Sequence, residues 1–390
     1  MIENIVDQKK CFGCRACENI CPVNAITFKA AEDAFCYPYV DKDKCLECGL
    51  CEKTCIANKG VSFHNTNGNY AAVIKDEKAH YNSSSGGLFT VLSDWILKEK
   101  KGHVYGCIYF DKNAIIVGSS DLSLRDKMRG SKYLQSDMQN CYKDIVHQLQ
   151  NGEYVMFSGT PCQCAAIIKY METRHINTDK LYTMDFICHG STSPVVFRNY
   201  CEWLEKTFRS PIKEYYFRSR ILSGENQCAY AIFENGNKYL MPPSYDPYFY
   251  IFLKDLYHRE TCYQCPFAQL KRVSDVTVGD MRAKGYRGKG YSQVIVNTTK
   301  GALWLETVSS NIEKESYDIT GQLQPQLKHP TAKPKNMKVF RENISALNFS
   351  FDKLKTPNFK KQKMLTSIEK CACKLHMFGV LVWFLGKIKH

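Results

Sequence analysis

The chain has 390 residues, of which 44% are hydrophobic and 13% aromatic, and its formal net charge is +14. This length suffices for more than one domain, and the composition is typical of a globular protein. No run reaches the roughly 18–20 apolar residues of a membrane-spanning helix, and no helix-turn-helix or RNA-binding motif accompanies the positive charge, which disfavours membrane-spanning and nucleic-acid-binding proteins.

Two cysteine runs near the N-terminus share one spacing, Cys-x2-Cys-x2-Cys-x3-Cys. This spacing is typical of bacterial ferredoxins with two 4Fe–4S clusters, in which the fourth cysteine of each run ligates the other cluster. A pair of zinc sites is the alternative, but eight cysteines in this register favour clusters. The predicted ligand sets are Cys11, Cys14, Cys17 and Cys55 for one cluster, and Cys45, Cys48, Cys51 and Cys21 for the second. Cys36 lies outside both runs, and we expect it to be a buried thiol.

The N-terminal sequence MIENIVDQKK lacks the apolar run of a secretory signal. Thiols that are not exported stay reduced and available to metal, so we expect a cytoplasmic protein. The excess of lysine and arginine suits an acidic partner such as ferredoxin or flavodoxin, or a phosphate-bearing cofactor; a solvated basic surface is the plainer interpretation.

Residues 1–59 are predicted to form a two-cluster 4Fe–4S ferredoxin domain, followed by an Asn- and Gly-rich linker at Gly60–Tyr70. Helical and strand-like patterns then alternate through residues 71–320, which predicts a mixed α/β or α+β body. The predicted helices are Gly87–Lys101, one that contains Met138 to Leu149, and Val195–Phe208. The predicted strands are His103–Phe110, Ala114–Gly118, Tyr154–Ser158, Leu181–Ile187, Ala229–Phe233, Val273–Val278 and Gln293–Asn297.

Three loops of the body have the composition of an anion-binding site. Ser83–Gly87 precedes a helix and offers free backbone N–H groups to a phosphate, although a plain serine N-cap explains it as well. Arg129–Tyr133 (RGSKY) combines cations, a hydroxyl and an aromatic ring, which suit a phosphate or a flavin edge. Gly285–Gly290 is a third, cationic glycine loop. No G-x-G-x-x-G follows a strand, so a Rossmann NAD site is not predicted.

Four further cysteines have distinctive surroundings: Cys162 in GTPCQ, Cys188 in CHG, and the pair Cys262 and Cys265 in CYQCP. From the residues alone, a third 4Fe–4S cluster, a zinc site and unrelated buried thiols all remain open. Other cysteines lie on apolar faces and are predicted core thiols, namely Cys107, Cys141, Cys201 and Cys228.

Residues 321–390 form a C-terminal extension that is rich in proline and lysine from Gln322 and is predicted to be partly extended. Near its end, Met377–Leu385 (MFGVLVWFL) is apolar and flanked by lysines. Nine residues cannot span a bilayer. This segment either packs on the body or makes peripheral contact with a membrane interface.

Six segments occur in an order that resembles one known family: SSSGGLFTVL, RGSKYLQS, FSGTPCQCAAI, DFICHG, CYQCPF and DVTVGD. They resemble the coenzyme F-420 hydrogenase/dehydrogenase beta-subunit family, including its longer members with an N-terminal ferredoxin, over nearly residues 1–300. The same motifs are similar to plant hydroxymethyl-chlorophyll reductase and to the flavin half of certain sulfite reductases. Many members have an aromatic residue where this chain has Met281, which weakens the inference that a deazaflavin coenzyme is used.

The resemblance implies FAD bound by the α/β body, with a third iron–sulfur cluster beside it. Carried over by motif, the implied flavin contacts are Ser85, Gly86, Gly87, Ser131, Lys132 and Tyr133, with Thr160 and Gln163 nearby. The implied ligands of the third cluster are Cys162, Cys188, Cys262 and Cys265. No catalytic residue is assigned.

We therefore expect an iron–sulfur flavoprotein oxidoreductase that takes electrons from ferredoxin or flavodoxin. The clusters would pass them to FAD and on to a small organic substrate, such as a sugar or sugar nucleotide of surface-polysaccharide biosynthesis. One alternative is a deazaflavin-coenzyme oxidoreductase. Another is a non-catalytic electron-transfer subunit of a larger complex.

Overall fold

The computed structural model describes residues 7–221, 228–286, 288–319, 323–335, 337 and 358–388. The strands are β1 Ile26–Ala30, β2 Cys36–Val40, β3 Gly68–Ile74, β4 His103–Phe110, β5 Asn113–Ser119, β6 Val155–Gly159, β7 Leu181–Phe186, β8 Ile212–Ser219, β9 Cys228–Phe233, β10 Lys238–Met241, β11 Val276–Asp280, β12 Ser292–Val296 and β13 Ile312–Ser316. The helices are α1 Ala16–Ile20, α2 Leu50–Thr54, α3 Ile56–Lys59, α4 Glu77–Tyr81, α5 Leu88–Asp94, α6 Leu122–Met128, α7 Cys141–Gln150, α8 Pro161–Thr173, α9 Pro194–Phe208, α10 Pro247–Leu253, α11 Thr299–Thr307, α12 Phe359–Lys374 and α13 Phe378–Ile388.

The body is built on an eight-stranded mixed sheet in the order β13-β3-β12-β11-β7-β6-β4-β5. Its central strands β11, β7, β6 and β4 are parallel, and the remaining pairs are antiparallel. Because parallel strands end at the same edge of a sheet, the loops that follow β6, β7 and β11 come together there. The mixed α/β body predicted from the sequence is confirmed.

A second, three-stranded sheet has the order β10-β9-β8. It shares a hydrophobic core with α9, α10 and the inner side of the β1–β2 ribbon, and that core is rich in aromatic residues. The side chain of Tyr200 on α9 donates a hydrogen bond to the carboxylate of Asp246, at 2.6 Å, and Tyr239 on β10 donates to the same oxygen at 2.9 Å. These contacts tie α9 and β10 to the start of α10, whereas β8 meets the main sheet through the ion pair of Arg218 with Asp280 at the end of β11.

The predicted elements of the body agree with the structure to within about two residues at most ends. The helix predicted over Gly87–Lys101 consists of α5 and a π-helical turn at Trp95–Glu99, and the helix predicted from Met138 begins only at Cys141. Two further local predictions are wrong. Gly68–Tyr70, assigned to the linker, belong to β3, because pairing with both β12 and β13 outweighs the Asn- and Gly-rich composition. The strand expected at Val273 begins only at Val276, since Asp275 uses its carboxylate to bind the backbone of Thr183. The boundaries 1–59, 71–320 and 321–390 stay predictions.

The predicted burial of Cys36 is also wrong, because its side chain is exposed. Cys36 stands between Phe35 and Tyr37, which are 1% and 5% exposed. Successive side chains of a strand point to opposite faces, so the packing of those two rings directs the thiol outward.

The C-terminal extension contains a 3-10 turn at Pro325–Leu327 and the two helices α12 and α13, which pack on β10 and β9. Residues 320–322, 336 and 338–357 lie outside the described residues. Most of the predicted extended segment, residues 323–335, is described, and apart from the turn at Pro325–Leu327 this part contains no helix or strand. In the part of the chain that the structure describes, no helix is long and apolar enough to cross a membrane.

Candidate redox site

The first cysteine set lies where the ferredoxin unit meets the body. Burial, together with smaller contributions from the neighbouring thiols of Cys11 and Cys55, raises the pKa of Cys14 to about 12 and that of Cys17 well above its usual value. These are the four cysteines that the crossed ligand pattern predicts for one cluster. A buried thiol gives up its proton when a metal binds it, so four thiols gathered in one place can serve as the ligands of a cluster.

The second set lines a cavity of about 280 Å³. Its cysteines are Cys21, Cys45, Cys48 and Cys51, and its other walls are mainly apolar, with two glutamates, Glu47 and Glu52. The fourth cysteine of the first run thus stands with the first three of the second run, as the crossed pattern predicts. A cavity of this size exceeds what one metal ion fills.

The third set comes from three separate loops. Cys162 lies in the first turn of α8 directly after β6, Cys188 follows β7, and Cys262 and Cys265 flank the end of the 3-10 turn Glu260–Gln264. The pKa of the Cys162 thiol lies well above its usual value. Burial is the main cause, and the nearby thiols of the other three cysteines add to it. The structure therefore brings the four cysteines together. The adjacent Cys164 is not part of the group, since its buried thiol contacts the backbone of Met184.

The spacing of the thiols bears on the zinc alternative. A zinc ion bound by thiolates at about 2.3 Å holds their sulfurs about 3.8 Å apart. Among the described residues, no cysteine set brings three sulfurs within 4.8 Å of one another, and only His189, Asp255 and His258 form a group that close. The wider cysteine sets fit a cluster better than a single ion.

One large cavity joins the ferredoxin unit to the sites predicted in the body. Its volume is about 580 Å³, within the range of roughly 300–1,000 Å³ that is common for cofactor and small-molecule sites. Cys14 and Phe12 line one part, and Cys162, Cys188 and Cys262 line another. Of the predicted flavin residues, seven line it: Ser85, Gly87, Ser131, Lys132, Tyr133, Thr160 and Gln163.

The glycines of the Ser83–Gly87 loop have a structural role of their own. The amide of Gly86 donates to the hydroxyl of Ser292 at 2.8 Å, and a Cβ at Gly86 would lie 2.3 Å from the carbonyl oxygen of Ala72. Gly87 has φ +78°, and a Cβ there would lie 2.4 Å from Ile74. The loop therefore needs glycine to pack on the sheet, whether or not a phosphate binds. Leu88 and Phe89, the first two residues of α5, line the cavity, and the N–H groups of a first helical turn have no acceptor within the helix.

Lys132 and Tyr133 are also held by the protein itself. The ammonium of Lys132 donates to the carbonyl oxygens that end α6, those of Lys127, Met128 and Arg129, at 2.8–3.0 Å. Burial lowers the pKa of this ammonium to about 8. The ring centroid of Tyr133 lies 4.5 Å from that of Phe252. Both residues line the cavity with little freedom to move.

Thr160 and Gln163 form a capping box at the start of α8. The hydroxyl of Thr160 accepts from the amide of Gln163, and the side-chain oxygen of Gln163 accepts from the amide of Thr160 at 3.0 Å. The side-chain nitrogen of Gln163, Nε2, donates to the hydroxyl of Ser136 at 2.8 Å. Their positions near the cavity are thus set by helix capping, which also places Cys162 within 3.1 Å of the Thr160 hydroxyl.

The sequence reasoning missed a buried cation at the cavity. Arg218 on β8 is only 8% exposed at its side chain and lines the cavity. One of its terminal nitrogens donates to both carboxylate oxygens of Asp280, at 3.0 and 3.1 Å. Its Nε is buried and has no hydrogen-bond partner among the described residues. An arginine within a strand gives no motif, so only the sheet packing reveals this site.

A His–Asp–His group beside the third cysteine set was missed as well. Asp255 lies 3.0 Å from a ring nitrogen of His258 and 3.4 Å from one of His189, which lines the cavity. Burial acts to raise the pKa of Asp255, but the two histidines outweigh it and hold the value at about 2. The position of His189 directly after Cys188 was the one signal in the sequence.

Two family models match parts of the chain. Residues 10–59 match the family model of the 4Fe-4S dicluster domain, and residues 152–320 match that of the C-terminal part of the beta subunit of coenzyme F420 hydrogenase/dehydrogenase. The search of curated proteins finds no match. A chain of the xenon-derivatised F420-reducing [NiFe] hydrogenase complex from Methanosarcina barkeri is 15% identical, covers 80% of this chain and 91% of its own length, and has a TM-score of 0.46. Similarity of that degree supports no inference about function.

The matched segments contain the cysteines on which the site depends. All eight cysteines of the N-terminal runs lie within residues 10–59, and the four of the third set lie within residues 152–320. The chain therefore carries a 4Fe-4S dicluster domain at residues 10–59, and its residues 152–320 are related to the beta subunit of coenzyme F420 hydrogenase/dehydrogenase, which confirms the resemblance that the motifs indicate.

Proposed function

We propose that this protein is an iron–sulfur flavoprotein oxidoreductase that takes electrons from ferredoxin or flavodoxin and reduces a small organic substrate. When bound, the clusters carry single electrons, and FAD accepts them and reduces the substrate. The protein contributes the placement of these groups, their shielding from water and the recognition of the substrate. An iron–sulfur electron-transfer function, related to that of the F420 hydrogenase/dehydrogenase beta subunit, rests on the family matches alone.

The observation that carries the proposal is the single cavity between the two parts of the chain. Cys14 of the ferredoxin unit, three cysteines of the third set and seven of the eight predicted flavin residues all line it. Electron transfer needs redox groups that lie close together, and a cavity lined by residues of all three predicted sites supports the proposal on this point.

The cations at the cavity favour an anionic substrate. Arg218 offers a buried N–H that has no partner among the described residues, and Arg282 is exposed at the cavity wall. A guanidinium binds phosphate and carboxylate groups in preference to neutral ones. A sugar nucleotide or a sugar phosphate meets this requirement.

A second candidate function, the use of a deazaflavin coenzyme, is favoured by the family match itself. Against it stands Met281, which is 7% exposed and fills an apolar position where many family members have an aromatic residue. An assay with that coenzyme, in which turnover changes its absorbance, distinguishes the two candidates directly.

The experiment that tests the proposal is anaerobic purification followed by flavin analysis and reduction with ferredoxin. We expect FAD to be released on denaturation, and its absorbance in the native protein to bleach when reduced ferredoxin is added. The rate should fall with salt, because the Debye length falls from about 10 Å at 0.1 M to about 3 Å at 1 M and screens the basic surface. A protein that holds no flavin, and acquires none when incubated with FAD, contradicts the proposal.

A further inference from the structure

The two C-terminal helices form a hairpin, α12 and α13, with one side packed on the body. A carboxyl oxygen of Glu369 on α12 accepts from the amide of Leu240 on β10 at 3.2 Å, and Lys238 donates its backbone amide to the thiol of Cys373. On α13, Phe378 is 7% exposed, and Leu381, Val382 and Leu385 pack against the same cluster. This spacing of i, i+3, i+4 and i+7 defines the inner stripe of the helix.

The outer side of the hairpin is also apolar. Val380, Trp383 and Phe384 lie on one stripe of α13 and are 46%, 54% and 53% exposed. Of the sixteen large hydrophobic side chains that are exposed among the described residues, seven lie in this hairpin, and the other four are Met364, Ile368, Leu375 and Met377. Exposed apolar residues that occur singly need no explanation, but a group on one surface marks a binding site.

The charge of the hairpin has one sign. Lys360, Lys361, Lys363 and Lys374 are exposed, and the single acidic residue among residues 358–388, Glu369, is completely buried. The outer side thus presents lysines and apolar rings together, with no exposed carboxylate in the described part of the hairpin.

We propose that the outer side of this hairpin binds the surface of an anionic lipid bilayer, with α13 lying in the plane of the headgroups. Helices of this kind insert their apolar side chains at the boundary of headgroups and acyl chains, where tryptophan is favoured, and their lysines attract anionic lipid. Neither helix is long enough to cross the bilayer. A second copy of the chain is a poorer occupant, since a two-fold contact between hairpins would oppose lysines to lysines.

The test is co-sedimentation of the anaerobically purified full chain with phosphatidylcholine vesicles, made with and without phosphatidylglycerol. We expect binding to the anionic vesicles only. Trp383→Ser combined with Phe384→Ser should weaken it at least tenfold, whereas Leu303→Ser, which alters an apolar residue of α11 that is 66% exposed, should leave it unchanged. The iron content of each variant shows that the redox part of the protein is intact.

The lysines are tested separately. Replacement of Lys360, Lys361 and Lys363 by glutamine should weaken binding tenfold or more, because each lysine near such a surface contributes about fivefold. The same replacement at the exposed Lys59, Lys78 and Lys143 removes equal charge elsewhere and should have a much smaller effect. Equal binding to both kinds of vesicle, or to neither, overturns the proposal. So does a dimer in solution that the Trp383 and Phe384 variant dissociates, since the hairpin would then be an interface between copies.

Discussion

The guanidinium of Arg259 donates a hydrogen bond of 3.2 Å to the backbone carbonyl oxygen of Cys11. Arg259 directly precedes the turn that carries Cys262, whereas Cys11 opens the first cluster loop. The same guanidinium reaches the carbonyl oxygen of Cys36, and its Nε donates to the side chain of Gln135. One side chain, 2% exposed, thus ties the ferredoxin unit to the loop of the third cysteine set.

Arg259→Met should therefore loosen this junction. Hydrogen bonds from a charged donor contribute about 1.5–3 kcal/mol each to the free energy of unfolding. We expect this free energy to fall by about 3 kcal/mol or more in the variant, because the carbonyl groups that lose their donor stay buried. The measurement is the temperature at which cluster absorbance is lost in the anaerobic protein. Arg198→Met, at an exposed arginine, is the matched control. Equal melting of the two variants would show that Arg259 is not a structural tie.

The number of clusters is open to direct analysis. Three 4Fe–4S clusters require about twelve iron and about twelve sulfide per chain in protein prepared without oxygen. An iron content of about eight per chain would contradict the presence of a third cluster. Zinc in a ratio of one per chain would overturn the assignment of the third cysteine set as cluster ligands. Both quantities come from one elemental analysis of the purified chain.

The phosphate role of the Ser83–Gly87 loop needs two variants at Gly87. Gly87→Asp places a carboxylate at the start of α5 and should abolish flavin retention while the ferredoxin iron remains. Because Gly87 has φ +78° and lies against Ile74, any side chain there also strains the loop. Gly87→Ala reports that strain alone. We expect the aspartate variant to bind flavin much more weakly than the alanine variant; equal losses would assign the glycine to packing only.

The attachment of α12 should depend on pH through Glu369. Burial raises the pKa of this carboxyl well above its usual value, so the folded state binds a proton that the unfolded state has released. Stability is thus greatest below the unfolded pKa, near 4.3, and falls as pH rises toward the folded pKa. Glu369→Gln keeps an acceptor for Leu240 and should remove this dependence. Amide hydrogen exchange in α12 from pH 6 to 9 measures it; parallel pH profiles of the two proteins would refute the assignment.

Local chemistry explains which features could be predicted from the sequence. The spacing of eight cysteines specifies their ligand sets, and the structure groups them in the crossed pattern, since Cys21 lines a cavity with Cys45, Cys48 and Cys51. Hydrophobic alternation likewise predicted most strands of the main sheet. The third cysteine set was ambiguous because its members come from three loops that only the parallel sheet brings together.

Tertiary packing explains the rest. The ion pair of the buried Arg218 with Asp280 joins two sheets, and no local pattern predicts such a contact. Thr160 and Lys132 were assigned to the flavin by motif, yet Thr160 caps α8 and Lys132 binds the last carbonyl oxygens of α6. A motif can therefore mark a residue that shapes the site without showing which atoms contact a ligand.

The most direct test of the central claim, that electrons reach the flavin through the third cluster, is the rate of flavin reduction in Cys262→Ser combined with Cys265→Ser. Serine is close in size to cysteine but is a poor soft ligand, so the variant should lose one cluster and keep FAD and about eight iron. The control replaces two exposed cysteines outside the three sets, Cys36→Ser with Cys371→Ser. On mixing with reduced ferredoxin in a stopped-flow instrument, we expect the flavin of the control to bleach rapidly and that of the variant to stay largely oxidised, although its N-terminal clusters are reduced. A variant that keeps all its iron and reduces its flavin at the control rate contradicts the account.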